Sequence, residues 1–497
     1  MAIAEDLEVA SFLKGQPKKL LIGGRWVDSA DGKTFDSIDP ATGEVLARVA
    51  EAGVEDVDRA VAAARKSFDN RVWRDLPPAE RAKVLWAIGD KIEENAQELA
   101  ELDSLDNGKP INEMLLFDVP LSAATFRYYA GWATKIDGAT QQTSFPGSYL
   151  SYTLREPVGV VGQIIPWNFP LMMAAWKIAP ALACGNSVVL KPSEETPLSA
   201  LRLAELMQDA DLPAGVVNVV PGFGEVAGAR LAAHPQVDKI AFTGSTEVGK
   251  MIARASADSN LKRLSLELGG KSPNIVFADA DLSRAVSGAF LGIFFNQGQV
   301  CSAGSRMFVQ EMVYDQTVDE LTKAVGNLQL GPGIDPMTQM GPLVSQRHME
   351  RVLGYISTGN TEGARLVTGG SRPAHLDRGY FVEPTVFADV DGKMRIAREE
   401  IFGPVLAAIP FEDEDDLVAK ANDSIYGLVA GVWTSDVKRA HRVAHALQAG
   451  TVYVNCYNVV DPSTPWGGYK QSGWGRELGS YALDLYTEVK NVIVDIA

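Results

Sequence analysis

Between Val158 and Gly249, short apolar runs alternate with helical patterns, and the runs end in polar or glycine-bearing clusters. Val158–Ile165, Ser187–Leu190, Val216–Val220 and Lys239–Phe242 are short and rich in β-branched residues, as strands buried on both faces are. Strands that alternate with helices, such as the pattern over Leu198–Gln208, require a parallel sheet with helices on its faces. Ligands of such α/β folds sit beyond the carboxyl ends of the strands. The polar clusters stand there: Pro166-Trp-Asn-Phe-Pro170, Lys191-Pro-Ser-Glu-Glu-Thr196 and Thr243-Gly-Ser-Thr-Glu-Val-Gly249. Asn168, Lys191, Glu194, Gly244 and Ser245 therefore form a dinucleotide-site pattern.

Two glycine-bearing turns compete for the phosphates. Gly222-Phe-Gly-Glu-Val-Ala227 matches G-x-G-x-x-A literally, but no convincing acidic partner stands about twenty residues further on. Gly244-Ser245-Thr246 is the better candidate. It opens a helix running from Glu247 towards Ala257, and the free amides of a helix start suit an anion. Gly222 and Gly224 are read as adenine-side wall or simple turn.

The chain has 497 residues, too many for one core, which implies roughly two or three domains. A net charge of −17 argues against nucleic acid or an anionic membrane surface as partner. Cys184, Cys301 and Cys456 are odd in number and far apart, which fits neither a disulfide framework nor metal ligation and points to a reducing compartment. The acidic start, Met1 to Glu8, lacks the basic character of a targeting peptide. The best apolar run, Leu171 to Cys184, is interrupted by Lys177 and Pro180 and falls short of a membrane span. A soluble, cytoplasmic protein is expected.

Elsewhere the chain reads as scaffold. Leu20–Val27 is a hairpin around Gly23-Gly24, and Asp39–Gly43 is a turn. Val57, Ala60, Val61, Ala64 and Phe68 mark one amphipathic helix. A longer one is expected to start at Pro77-Pro78 and run to Asn107-Gly108. Gly138–Pro157 alternates without helical period, as an extended ribbon leaving its domain does. Ser272–Ala278 opens a second α/β domain, Asp281–Phe295 is a helix, and Gly450–Asn455 is a strand. Pro465–Glu477 is a glycine-rich return loop, and Val489–Ile496 alternates as a strand.

Two side chains could carry chemistry. Cys301 follows Asn296-Gln-Gly-Gln and precedes the small residues Ser302, Ala303, Gly304 and Ser305. Gly298 permits a turn that aims the thiol away from the helix. Taken alone, a buried inert cysteine is the commoner outcome. Glu267 ends an apolar alternating strand before two glycines, and apolar surroundings raise a carboxyl towards the range of a general base. A salt-bridged strand residue is the bland alternative.

Pro166-Trp-Asn-Phe-Pro170, Lys191-Pro-Ser-Glu194, Phe242-Thr-Gly-Ser-Thr246, Leu266-Glu-Leu-Gly-Gly-Lys271, Asn296–Cys301 and Glu399-Glu-Ile-Phe-Gly-Pro404, in this order and spacing, resemble the aldehyde dehydrogenase superfamily. The likeness runs from about Leu20 to the C-terminus, and the overall texture is most similar to bacterial phenylacetaldehyde dehydrogenases. It implies NAD-dependent oxidation of an aldehyde to the acid, with Cys301 as nucleophile and Asn168 with the Cys301 N–H as oxyanion donors. It makes Glu267 the base for water, with Lys177 and Glu477 relaying its protons. Lys191 and Glu194 would hold the adenosine ribose, and Glu400, with Phe402 beside it, the nicotinamide ribose. Ile164, Pro166, Trp167, Ser193, Gly224, Phe242, Gly244, Ser245 and Leu268 would line the cofactor cleft. No metal is implied.

The same resemblance assigns 1–137 with 158–268 to a Rossmann-like NAD-binding domain and 269–480 to a catalytic domain. It assigns 138–157 with 481–497 to an oligomerisation ribbon, whose C-terminal strand pairs with a neighbouring subunit in a homodimer or homotetramer. Phe169, Met172, Met173, Trp176, Phe295, Val300, Ser302 and Val460 would line the substrate channel, although ordinary core explains Met172 and Met173 equally well. An apolar, aromatic channel without arginine suits a hydrophobic or arylalkyl aldehyde rather than a charged one. Other classes fit less well. A Cys–His hydrolase needs a histidine in a motif, and none of His234, His348, His375, His441 and His445 stands in one. A CoA-acylating dehydrogenase has no need of Glu267, and a non-catalytic structural protein on this fold has no need of Cys301.

Overall fold

The hairpin that opens the chain is formed by β1 (Leu20–Ile22) and β2 (Arg25–Val27), turned by Gly23 and Gly24, both at positive φ. This is a computed structural model that describes residues 7–14 and 17–497; the start of the chain, 1–6, lies outside the described residues. A separate pair follows, β3 (Thr34–Ile38) with β4 (Val45–Ala50), then the ribbon strands β5 (Thr140–Gln141) and β6 (Tyr149–Pro157). The expected parallel strands are β7 (Val160–Ile164), β8 (Ser187–Lys191), β9 (Val217–Val219), β10 (Lys239–Thr243) and β11 (Arg263–Glu267). Every residue of β7, β8, β9 and β10 is buried, the polar Gln163, Asn218 and Lys239 included, as strands covered on both faces are.

The second unit contains β12 (Pro273–Val276), β13 (Arg306–Gln310), β14 (Arg365–Thr368), β15 (Thr385–Ala388), β16 (Val405–Phe411), β17 (Val429–Trp433) and β18 (Thr451–Val454). They make a 7-stranded sheet in the order β14-β15-β16-β13-β12-β17-β18, parallel except for the β14–β15 pair. β19 (Gly473–Trp474) and β20 (Thr487–Asp495) complete the chain. The first sheet has 8 strands, ordered β19-β11-β10-β7-β8-β9-β1-β2. The fold is thus α/β, with the first sheet parallel at its centre and antiparallel at both margins.

Three expectations need correction. The helix expected from Pro77 to Asn107 is two, Pro78–Glu94 and Ala96–Asn107, because Asn95 leaves helical geometry (φ −112°, ψ 28°) and its side chain bonds back to the Lys91 carbonyl. The C-terminal strand does not need a neighbouring subunit to pair. β20 runs antiparallel to β6 of its own chain, from Thr487 opposite Pro157 to Asp495 opposite Tyr149. The return loop around Pro465–Glu477, placed with the second domain, delivers β19 to the margin of the first sheet, where Gly473 pairs with Glu267. A Cβ on Gly473 would lie 1.8 Å from the Leu266 carbonyl oxygen, so only glycine allows that approach.

Candidate active site

One cavity of about 1080 Å³ opens at the carboxyl ends of β7, β8, β10 and β11 and extends beneath loops of the second unit. Every residue that the resemblance assigns to the site lines it except Lys177, which is bonded to Glu477.

At one end, Ser245 caps the helix Thr246–Asp258, its hydroxyl accepting the Val248 N–H at 3.2 Å. Gly244 precedes it, so the first free amides of that helix border the cavity. Lys191, the last residue of β8, donates to Glu194 Oε2 at 2.7 Å. Ile164 ends β7 and leads into Pro166 and Trp167. Ser193, Phe242 and Leu268 close the wall. Gly224 also borders the cavity whereas Gly222 does not, which separates the two glycines of the literal motif.

Glu400 and Phe402 stand between this end and the thiol. Glu400 Oε1 accepts the Gly270 N–H at 2.8 Å, and a Cβ at Gly269 would lie 2.1 Å from Oε2. The two glycines after Glu267 are thus the seat of a carboxylate. Burial pushes that carboxyl up to about 7. Phe402 has a left-handed backbone (φ 64°), and its carbonyl bonds to His348 Nε2 at 2.6 Å. The rings of Phe402 and His348 both meet that of Trp167 edge-on, at 5.2 and 5.1 Å.

The helix Leu282–Phe294, capped by Asp281, leads to the segment that carries Cys301. Three left-handed residues then turn the chain: Asn296 (φ 45°), Gln297 (φ 57°) and Gly298 (φ 70°). The expectation for Gly298 has a second cause, since a Cβ there would meet the Gly403 carbonyl oxygen at 2.3 Å. The amide side chains of this turn brace it. Asn296 Nδ2 donates to the Asn168 carbonyl at 2.8 Å, and Gln299 Oε1 accepts the Val344 N–H at 3.0 Å. Asn168 Nδ2 donates to the Gln299 carbonyl at 2.8 Å; its other N–H belongs to a side chain that lines the cavity.

Cys301 keeps part of its surface open to the cavity, yet burial, then Glu400 and Glu267, push its thiol up to about 12. The backbone N–H groups of Ser302 and Cys301 pull the other way. Glu267 is buried, and neither carboxylate oxygen takes a hydrogen bond among the described residues. Burial first, and the neighbouring Glu477 second, hold its carboxyl well above the usual range, with Lys177 and Arg476 opposing. Lys177 and Glu477 form a buried ion pair, and the Lys177 carbonyl accepts from Gln163 Nε2 at 2.7 Å.

Beyond the thiol the walls are aromatic and sulfur-bearing. Phe169 and Phe295 stack at 6.2 Å, and Trp176 meets Trp466 at 5.8 Å. Met172 and Met173 face the cavity from the helix Pro170–Ala183, and Val300, Ser302 and Val460 complete the lining. Sequence reasoning missed Leu116 and Phe117, which come from the π-helical turn Met114–Asp118; Phe117 meets Phe295 edge-on at 5.5 Å. It also missed Arg347, His348 and Arg351 on the helix Gln346–Thr361. The apolar run Met114-Leu-Leu-Phe117 was a usable signal for the first group; a helix start between unassigned segments offers none for the second. Among the described residues no cluster of His, Cys, Asp and Glu could hold a metal ion, and no helix is long and apolar enough to cross a membrane.

Residues 26–492 match the model of the Aldehyde dehydrogenase family. The chain is 51% identical over 479 residues to the mitochondrial aldehyde dehydrogenase of Homo sapiens, spanning 96% of this chain and 92% of that one. It superposes on the NAD+ complex of an aldehyde dehydrogenase from Bacillus cereus with a TM-score of 0.96 at 53% identity, covering 98% of both chains. An indole-3-acetaldehyde dehydrogenase of P. syringae, solved as a mutant with NAD+ and IAA, gives a TM-score of 0.95 at 45% identity over 98% of this chain and 99% of that one.

Proposed function

The chain belongs to the aldehyde dehydrogenase family and is an NAD-dependent aldehyde oxidoreductase, and from that premise we propose that it oxidises hydrophobic aldehydes, arylalkyl ones such as phenylacetaldehyde among them, to carboxylic acids. The observation that carries the reading is a single cavity. Cys301, Asn168 and Glu267 border it together with the apolar rings and with Ser245, Glu194 and Glu400.

The surroundings of Ser245, Glu194 and Glu400 fit a dinucleotide. The Gly244-Ser245-Thr246 amides suit its phosphates, the Lys191–Glu194 pair the adenosine ribose, and Glu400 on its glycine seat the nicotinamide ribose. When bound, the dinucleotide supplies the hydride acceptor. The protein does the rest. The Cys301 thiolate, formed when the thiol gives up its proton, bonds to the carbonyl carbon, and the oxygen that becomes anionic is met by the Asn168 amide and the Cys301 N–H, a donor pair of which one member is worth roughly 3–4 kcal/mol. Loss of hydride leaves a thioester on Cys301. Glu267, its basicity raised by burial, takes a proton from the water that attacks the thioester, which frees the acid and the thiol. Glu477 and Lys177, paired behind Glu267, are placed to pass that proton on.

The substrate class follows from the stacked rings and methionines of the funnel, and from the name of the P. syringae relative, which is that of an arylalkyl aldehyde dehydrogenase. We assign 1–137 with 158–268 to the cofactor domain and 269–480 to the catalytic domain, with β19 crossing back. The paired ribbon 138–157 with 481–497 exposes Leu150, Leu154 and Val494 on one face and Val489 and Ile493 on the other, apolar surface of the kind that assembles a cytoplasmic homodimer or homotetramer.

Rapid mixing of Glu267→Gln with NAD+ and phenylacetaldehyde tests the mechanism. A burst of NADH approaching one per active site should precede very slow turnover, with the acyl group found on Cys301 by mass spectrometry. Normal steady-state acid production would refute the role of Glu267. Wild-type turnover that depends on added CoA would establish acyl transfer instead. An aldehyde panel followed at the NADH absorbance tests the class: each buried methylene should add about 0.8 kcal/mol. Preference for succinic semialdehyde or betaine aldehyde would contradict it.

A further inference from the structure

The segment between Gly108 and Asp118 carries no motif, yet it touches the nucleophile turn at its most constrained point. Glu113 Oε2 accepts the backbone N–H of Asn296 at 3.0 Å. Asn296 is fully buried and left-handed, the first residue of the turn that delivers Cys301. Its side-chain amide in turn donates to the Asn168 carbonyl. A single carboxyl thus sits behind both the thiol and the residue assigned to the oxyanion.

We propose that Glu113 is a positioning residue for aldehyde oxidation: by accepting the Asn296 N–H it holds the turn that fixes Cys301 and Asn168 relative to each other. The inference rests on the assignment of Cys301 as nucleophile. Its physical basis is an accounting of donors. A buried N–H must be paired, and a left-handed, non-glycine residue leaves that conformation unless neighbouring contacts over-determine it. For Asn296 those contacts are this bond, the side-chain bonds to the Asn168 carbonyl and, at 3.4 Å, the Gln299 carbonyl, and the Gln299 N–H received by the Asn296 carbonyl. The bond needs an acceptor of full glutamate length, not a charge. Burial pushes the Glu113 carboxyl up to about 8, with Lys109 and then the Asn296 N–H drawing it down and Asp118 raising it, so the uncharged acid is available as acceptor at neutral pH.

The test compares Glu113→Gln, which keeps the reach and the acceptor oxygen, with Glu113→Asp, which keeps the carboxyl group and shortens the reach. NADH formation is followed in a single turnover, with enzyme in excess over aldehyde and NAD+ saturating. NAD+ affinity is measured separately by quenching of tryptophan fluorescence. Glu113→Asp should be slower by about 10- to 100-fold, the usual cost of a small misplacement of reacting groups. Glu113→Gln should stay within about 3-fold of wild type, and the NAD+ Kd of both within about 2-fold, because only the chemical step is touched. Wild-type rates in Glu113→Asp, equal slowing in both variants, or NAD+ affinity falling in step with rate would each overturn the proposal. Cys301→Ala in the same assay separates the two claims. If it forms NADH, the nucleophile assignment itself fails; if it is dead while Glu113→Asp matches wild type, only the role of Glu113 does.

Discussion

The Gly270 N–H donates to Glu400 Oε1 across 2.8 Å, while Gly269 leaves no room for a Cβ beside Oε2. The carboxyl is therefore packed against backbone, and burial raises it from 4.5 to about 7. A raised carboxyl binds its proton more tightly in the folded chain than in the unfolded one. Its contribution to stability is complete below pH 4.5 and is lost as pH rises through 7, an amount of about 3 kcal/mol. Glu400→Gln stays neutral throughout, so it should gain stability relative to wild type between about pH 5 and pH 8. Urea denaturation of both proteins at the two pH values measures this, and parallel profiles would show that the carboxyl does not titrate so high.

Because its thiol is pushed up to about 12, Cys301 should ionise only in part at any pH the free enzyme tolerates. Its alkylation by iodoacetamide should rise about tenfold per pH unit between about pH 7 and 9. A plateau in that interval would mean that the thiol is acidified instead. Cys184 is also held near 12, by burial within the core, and should resist the reagent at every pH. Cys184→Ala and Cys456→Ala should keep oxidation, and Cys301→Ala should abolish it.

Glu194 borders the cavity as the partner of Lys191. Facing the adenosine ribose, its charge would oppose a 2′-phosphate at a cost of up to several kcal/mol at intermediate dielectric. NAD+ should be strongly preferred over NADP+, and Glu194→Gln should narrow the ratio of the two kcat/KM values. Equal values in the wild type would contradict the placement.

Much of this could be read from the sequence because buried parallel strands announce themselves. Val160–Ile164 and Ser187–Lys191 have no polar face to blur their ends, and the residues just beyond them had to be Trp167, Asn168 and Glu194. Features set by a partner far along the chain were not legible. Alternation marked Val489–Ile496 as a strand but could not say that it lies along Tyr149–Pro157 of its own chain. The apolar spacing continues from Ile92 to Leu99 straight through Asn95, so the break there is visible only in the backbone. His348 and Glu113 carry no local signature at all. Their roles arise from a carbonyl at Phe402 and an amide at Asn296, each distant in sequence.

Gly298→Ala should show how much the nucleophile turn depends on glycine. The new Cβ would meet the Gly403 carbonyl oxygen at 2.3 Å on a backbone already at φ 70°, so the loss should be at least about 2 kcal/mol. Unfolding in urea measures the loss. A variant as stable as wild type would imply that the loops around Gly298 and Gly403 yield freely.

β19 comes from the return loop of the second unit yet hydrogen-bonds alongside β11, with Gly473 opposite Glu267. The cleft is therefore laced shut at the level of the reacting carboxylate. Swinging the two sheets apart like a clamshell would unzip that pairing and uncover Glu267, which is now buried. Substrate and cofactor would then reach the cavity without any parting of the two sheets.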